Sequence, residues 1–436
     1  MGEVDFKGLS SEIIYMKDLQ EKSGVKMEVI RHGKYKSAVE PFLAQEMSPE
    51  NREQMTVLLN SVWNTIVADI SKSRKLSVAQ LNAIANTLGA RTPELALANK
   101  LVDKVAYEDE YHDMIRAKLK VDKKEKYDIV SITDYAKKAS STVEDYSKDD
   151  IIAVIYAQGE IAGGEGDVNV IGEGSIKRSL QEARDDKDVK AIVLRVNSPG
   201  GSALTSELIW REIEITKKVK PVVVSMGNYA ASGGYYIAAN ADRIFAEPNT
   251  ITGSIGVFGM LPNMNQLGKN IGINAEQVKT HENASGYSVF EPIDENFKGF
   301  VLESIEKTYA TFLKRVADGR KMTTEQVDAI AQGRVWTGVD AHKLGLVDEI
   351  GGLDAAIKYA AKLGKTSSYR TENYPEYEKN FEDLLANFTG MAMFKTKEQL
   401  LKEQLGEEGF QMLEQIKRVK SRKGIQAIMP YEIVIN

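Results

Sequence analysis

The sequence predicts an α/β fold in which a parallel sheet carries flanking helices, arranged as tandem copies with the first copy truncated. Three observations lead there. Short apolar runs alternate with helical stretches between Ile151 and Leu363, a spacing that joins parallel strands through crossover helices. Motifs from the front of the chain return later in the same order. The first set of motifs begins almost at once, whereas a long run of strands and helices precedes the second.

The elements follow in order. IIAVIYAQG (Ile151 to Gly159) reads as a strand, Ile176 to Arg184 as a helix and KAIVLRV (Lys190 to Val196) as a buried strand. Ala203 to Lys218 is a helix, PVVVSM (Pro221 to Met226) a strand, and Gly233 to Asn240 opens another helix. Asp242 to Ala246 and Ile251 to Val257 read as short strands, and helices dominate from about Asp294 to Leu363. At the front, one strand is expected near Met27 to Arg31.

The repetition is specific. KLSVAQLNAIA from Lys75 returns as KMTTEQVDAIA from Lys321, and LANKLVDKV (Leu97 to Val105) returns as HKLGLVDEI (His342 to Ile350). GVKMEVIRHGKYKSAVEPF (Gly24 to Phe42) faces GINAEQVKTHENASGYSVFEPI (Gly272 to Ile293). Three ordered matches at offsets of roughly 245 to 251 residues mean duplication. Copy two reaches back to about Ile151, so roughly the first hundred residues of copy one are expected to be missing. The chain then divides into residues 1–118 (the end of the first repeat), 119–150 (a linker around the charged KLKVDKKEKYD), 151–363 (the second repeat) and 364–436 (a C-terminal extension). In the extension Lys417 to Lys423 is basic. The apolar IMPYEIVIN (Ile428 to Asn436) reads as an ordinary terminus, with strand addition to another subunit as the alternative.

Composition excludes several classes. The 436 residues carry a net charge of −6 with 28% charged residues of both signs, no footprint for nucleic acid. There is no cysteine, so disulfides, thiolate nucleophiles and cysteine metal sites are ruled out. No motif calls for a metal or a cofactor. No stretch is long and apolar enough to span a membrane, and MGEVDFKGLSSEII lacks the basic-then-apolar order of a signal peptide. The chain is expected to be soluble.

Two loops at strand ends are placed for chemistry. VNSPGGS (Val196 to Ser202) follows KAIVLRV and opens a helix, so its backbone N–H groups are free to meet an anion or oxyanion. NYAASGGYY (Asn228 to Tyr236) follows PVVVSM and sets Ser232 at a strand-to-helix junction, with the N–H of Gly233 beside it. Either loop alone reads as a turn. On adjacent strands of one sheet they read as a nucleophile with an oxyanion hole. A serine needs a base, and His32, His112, His281 and His342 are poorly placed to supply one. A lysine serves only when neutral, against a free pKa of about 10.4. Lys34 and Lys36, in GKYKSAVEPF, both qualify by position, and alternation does not separate them.

GKYKSAVEPF, VNSPGGS, AASGGYY and ITGSIGVFG, with the duplication, resemble the large tandem-repeat form of signal peptide peptidase A from about Gly8 to Leu363. The resemblance implies crotonase-like (Clp protease-like) domains and a serine endopeptidase with a Ser/Lys dyad. It places the nucleophile on Ser232 and the general base on Lys36. A lysine-orienting serine falls on Ser254, and the oxyanion hole on Gly233 with Gly200 or Gly201. Copy two has no lysine facing Lys36 and offers Ala284 or Ser285 there, so the active site is expected to join the two copies. The resemblance further implies signal-peptide remnants as substrates, a homo-oligomer with a tetramer as the expected state, and no nucleic-acid partner. It implies a place in the bacterial cell envelope, with any membrane anchor in a part absent from this chain. Two other readings compete: a catalytically inactive scaffold, favoured by the truncation, and a crotonase-type acyl-CoA enzyme, which needs neither ASGGY nor a lysine from another copy.

Overall fold

The computed structural model describes residues 4–122, 125–135, 150–284, 286–375 and 425–428. Its strands are, in chain order, β1 Lys26–His32, β2 Asp150–Gln158, β3 Glu160–Ala162, β4 Gly166–Asp167, β5 Val170–Gly172, β6 Val189–Ser198, β7 Gly200–Ser202, β8 Val222–Ala231, β9 Arg243–Ala246, β10 Ile251–Gly253, β11 Val257–Asn263, β12 Val335–Thr337, β13 Glu349–Ile350, β14 Tyr369–Tyr374 and β15 Ile425–Ile428. The first sheet runs β12–β10–β8–β6–β2–β14, with β9 pairing β8 off this path and β13 pairing β9. Its central pairs β2·β6 and β6·β8 are parallel. This is the mixed α/β architecture with a parallel sheet and flanking helices that the strand–helix spacing predicts.

The central strands are apolar at successive positions because both faces are covered. Ile151, Ala153 and Ile155 of β2, with Ile192 and Leu194 of β6, enter the main core. That core also takes Ile176 and Leu180 from helix Glu173–Asp185, Ile209 and Ile213 from Ala203–Lys217, and Ile305 and Phe312 from Glu295–Arg320. The alternate residues Ile152, Val154, Ala191 and Val193 face Ala356 and Ala360 of helix Leu353–Leu363. The period of two in burial is the pleat of the strand.

The second sheet runs β1–β11–β15–β7–β3–β5–β4. Here the front of the chain joins the rear: β1 pairs antiparallel with β11 from Lys26↔Asn263 to His32↔Val257. Helix Pro49–Arg74 follows and sets Met55 and Leu58 against Ala231, Ile251 and Val335. Gln54 accepts the Val335 N–H at 2.9 Å, so a polar side chain and an apolar patch fix the same contact.

The motif at Lys75 and its counterpart at Lys321 take the same form, whereas Gly24 to Phe42 holds β1 and its counterpart Gly272 to Ile293 holds no strand among the described residues. Helices Pro49–Arg74 and Glu295–Arg320 both end on a left-handed lysine, Lys75 and Lys321. Each is followed by a helix with a capping box, Ser77 with Gln80 and Thr323 with Gln326.

Two sequence expectations need correction. Ile251 to Val257 is not one strand. Gly253 and Ser254 have positive φ (75° and 50°), and the chain leaves the first sheet after β10 and enters the second as β11. The stretch from Asp294 to Leu363 is helical but interrupted by β12 and β13, edge strands too short to announce themselves. Beyond position 363, β14 extends the parallel sheet along β2. The basic segment Lys417 to Lys423 and, apart from Ile428, the IMPYEIVIN segment lie outside the described residues. Among the described residues no helix is long and apolar enough to cross a membrane.

Candidate active site

Ser232 closes β8 and precedes helix Gly233–Ala238. Its backbone sits at φ 55°, ψ −116°, a conformation that favours glycine and costs other residues about 1–3 kcal/mol. The strain is held on both sides: the Ser232 N–H donates to the Gly253 carbonyl at 2.8 Å, and the Ser232 carbonyl accepts the Tyr236 N–H at 2.8 Å. The side chain is fully buried.

Lys36 reaches this serine from the front of the chain. Its Nζ lies 2.9 Å from Ser232 Oγ, 3.0 Å from the Ser254 carbonyl oxygen and 3.0 Å from Ser254 Oγ. The lysine is 0% exposed. Burial alone drives its pKa well below the usual lysine range, with no carboxylate pulling it back. The three contacts suit an uncharged amine, whose two N–H groups donate to the Ser254 oxygens while its lone pair accepts the Ser232 O–H.

The approach of the lysine depends on local backbone. After β1 the chain turns through Gly33, at φ 98°, where a Cβ would lie 2.6 Å from the Gln332 carbonyl. The Tyr35 N–H donates to the Gln332 carbonyl at 2.9 Å, and Arg31 donates to the Lys36 carbonyl at 3.2 Å. Gly333, at φ 81°, backs directly onto the lysine, since a Cβ there would lie 2.6 Å from Lys36 Cβ. A Cβ on Gly256 would lie 3.3 Å from Lys36 Cδ. Gly256 and Gly333 therefore form a sleeve around the stem. Sequence reasoning missed both; the only hint was a glycine in each of TGSIG and AQGRVW. Ser254 faces the amine with both its oxygens; its φ is positive, and its own N–H donates to the Arg334 carbonyl at 2.6 Å.

Lys34 does not enter the site. It is exposed, with its ammonium 5.4 Å from the Tyr35 ring centroid. The histidines are engaged elsewhere: His32 with Glu306 at 2.8 Å, His112 with Tyr127, His281 with Thr280 and His342 with the Val347 carbonyl.

The SPGG turn lies against the serine loop. Gly200 has φ 102°, and a Cβ on it would lie 2.8 Å from the Gly233 nitrogen. A Cβ on Gly233 would lie 3.2 Å from the Gly201 nitrogen. The Gly200 N–H is engaged within the turn, donating to Ser198 Oγ at 3.1 Å. The serine hydroxyl and the lysine amine thus meet at the loop against which the Gly200–Gly201 turn is packed.

The profile of peptidase family S49 matches residues 1–122 and 214–367, which is more than half of the chain. The chain belongs to peptidase family S49. It is 39% identical over 375 residues to "Protease 4" of Haemophilus influenzae, covering 83% of this chain and 60% of that protein. It is 34% identical over 358 residues to "Serine protease SPPA, chloroplastic" of Arabidopsis thaliana, covering 81% of this chain and 53% of the relative. The chain thus spans less than two thirds of the length of either S49 relative. A solved mutant of ClpP1 from Listeria monocytogenes superposes with a TM-score of 0.32 and 16% identity, over 47% of this chain and 94% of that one. The two matched blocks divide the candidate site: Lys36 lies in the first, and Ser232 and Ser254 lie in the second.

Proposed function

We propose that this S49 chain is a serine endopeptidase working through a Ser232/Lys36 dyad, with cleaved signal peptides as its substrate class. The observation that carries this reading is a fully buried lysine amine 2.9 Å from a fully buried serine hydroxyl. The reaction is acyl transfer. Neutral Lys36 takes the Ser232 proton, and Ser232 Oγ bonds to the peptide carbonyl carbon. The oxyanion is met by the N–H of Gly233 and one from the Gly200–Gly201 turn. The C–N bond then breaks as the lysine passes its proton to the leaving amine. Water, deprotonated by the same lysine, adds to the ester carbonyl; the bond from the carbonyl carbon to Oγ breaks, the product acid leaves, and the lysine returns its proton to Ser232 Oγ. Ser254 orients the amine without touching the substrate.

The apolar substrate class and the envelope setting rest on the family resemblance, as does a homo-oligomer, which light scattering would size as a tetramer. The test of the activity is turnover of fluorogenic apolar peptides, with labelling of Ser232 by a serine-reactive phosphonate. Lys36→Ala should abolish both and Lys34→Ala should leave both intact. Turnover of acyl-CoA thioesters in place of peptides would reject the reading.

A further inference from the structure

Residues 331–334 bracket the lysine and the serine that faces its amine. The Gln332 carbonyl accepts the Tyr35 N–H, and Gly333 backs onto the Lys36 stem. The Gly333 N–H donates to the Ile255 carbonyl at 2.8 Å, and the Arg334 carbonyl accepts the Ser254 N–H. The loop does not hold this shape unaided. Gln332 sits at φ 53°, a left-handed conformation that side chains other than glycine disfavour. Ala331 before it has already left helix Thr324–Ile330, at φ −92° and ψ −110°.

Two side chains outside the loop oppose this strain. Tyr309, on helix Glu295–Arg320 and 4% exposed, donates its hydroxyl to Asp328 Oδ1 and accepts the Gln332 N–H at 3.3 Å. Asp328 Oδ1 also accepts from Gln332 Nε2 at 2.6 Å. The buried phenol thus fills both its donor and its acceptor role. The titratable groups facing it are Asp328, His32 of β1 with ring centroids 3.9 Å apart, and Glu306, which bonds His32. The duplication supplies a comparison. Asn82 stands in KLSVAQLNAIA where Asp328 stands in KMTTEQVDAIA. It too is held by an aromatic donor, Trp63 Nε1, at 2.8 Å. There, however, the turn after the helix bonds to its own neighbours, Gly89 to the Ile84 carbonyl and to Asn99. Both copies keep the clamp, and only the second sets it under the lysine.

We infer that Tyr309 and Asp328 are positioning residues for the Lys36–Ser232 pair, acting through residues 331–334. The inference rests on the peptidase reading for what that pair does. The bonds of both side chains go to the loop and not to the amine. Without them Gln332 relaxes out of the left-handed region and Gly333 moves off the lysine stem. Water then reaches the amine. A hydrated ammonium is penalised less than a buried one, so the lysine keeps its proton to higher pH and serves less often as a base.

The experiment uses four variants of the full chain. Tyr309→Phe keeps the ring and removes the hydroxyl. Asp328→Ala removes the shared acceptor, and Asp328→Asn keeps an oxygen for both donors. Asn82→Ala removes the matching acceptor in the first copy. Tyr309→Phe and Asp328→Ala should lower kcat for an apolar fluorogenic peptide about tenfold at unchanged KM. Both should move the acid limb of kcat/KM up by about one pH unit. Asp328→Asn should stay near the parent in kcat and in the limb. Asn82→Ala should lower the unfolding midpoint and leave the limb in place. If Asp328→Ala behaves as Asn82→Ala does, with a lower midpoint and an unmoved limb, the clamp is structural only and the inference is overturned. A ¹⁵N NMR titration of Lys36 Nζ, assigned with Lys36→Met, reads the same effect without turnover. An upward shift in Tyr309→Phe supports the inference even where no chain cleaves a peptide, in which case the peptidase reading alone fails. A Lys36 titration unchanged in both Tyr309→Phe and Asp328→Ala defeats the inference whatever the turnover.

Discussion

Replacing Lys36 by methionine keeps an unbranched stem in the sleeve of Gly256 and Gly333 and removes only the amine. Two effects follow. General-base assistance is worth about 10²–10⁴ in rate, so kcat for an apolar peptide should drop by that factor while the oxyanion donors stay in place. The second effect concerns stability and has a definite sign. In the folded chain burial holds the lysine pKa well below its ordinary value, whereas the unfolded chain titrates near 10.4. Between those two values the unfolded state binds one proton more, so folding stability rises with pH. The slope reaches roughly 1.4 kcal/mol per pH unit and vanishes below the folded pKa. Lys36→Met lacks this term. Urea unfolding of both chains at several pH values between about 7 and 9 should show the parent gaining on the variant as pH rises. Parallel stability curves would mean that Lys36 binds the same number of protons folded and unfolded. Undiminished turnover by Lys36→Met would mean that it is not the base. Either result refutes the reasoning.

Ser232→Gly and Ser232→Ala should both lose activity, but the glycine variant should be the more stable by about 1–2 kcal/mol, because only glycine relaxes at φ 55°, ψ −116°; denaturant midpoints decide it. Gly333→Ala places a methyl group 2.6 Å from Lys36 Cβ at a positive φ; it should lower kcat/KM at least tenfold and lower the unfolding midpoint, and a variant that behaves like the parent on both counts argues against the sleeve. Ser254→Ala removes one of the amine's two oxygen partners on that residue and keeps the carbonyl. It should lower kcat about tenfold and move the acid limb of the pH–rate profile, whereas a purely structural role would leave that limb in place. In the parent, kcat/KM should rise with pH through the depressed lysine pKa, since only the neutral amine accepts the serine proton.

The parallel strands were legible because both faces of each are buried, which leaves unbroken apolar runs such as Ile151 to Ile155 and Ala191 to Leu194. The loops after β6 and β8 stood out only as a pair, because two glycine-rich strand ends on adjacent strands are more than the turn that either one alone would suggest. The choice between Lys34 and Lys36 was not legible from alternation. It is settled where β1 ends and a short 3-10 turn, Ser37–Val39, begins, so the simple two-residue period no longer applies there. The break at Ser254 was hidden because a positive φ on a serine leaves no mark in composition, yet it is at this break that both Ser254 oxygens meet the amine. The glycine sleeve was hidden for a related reason. Gly333 and Lys36 meet only after β1 has docked on β11, and nothing local to either residue announces the partner. β15 drew no attention because four residues with one small side chain read as part of a terminus. Its position is set by two strand edges more than 150 residues away in sequence.

The protonation state of Lys36 at neutral pH bears most directly on the account. With lysine labelled at Nζ and Lys36→Met used to assign the signal, ¹⁵N NMR titration should show the buried Lys36 amine losing its charge well below the ordinary lysine range. A Lys36 signal that titrates with the surface lysines near 10.4 would leave Ser232 without a base and contradict the mechanism.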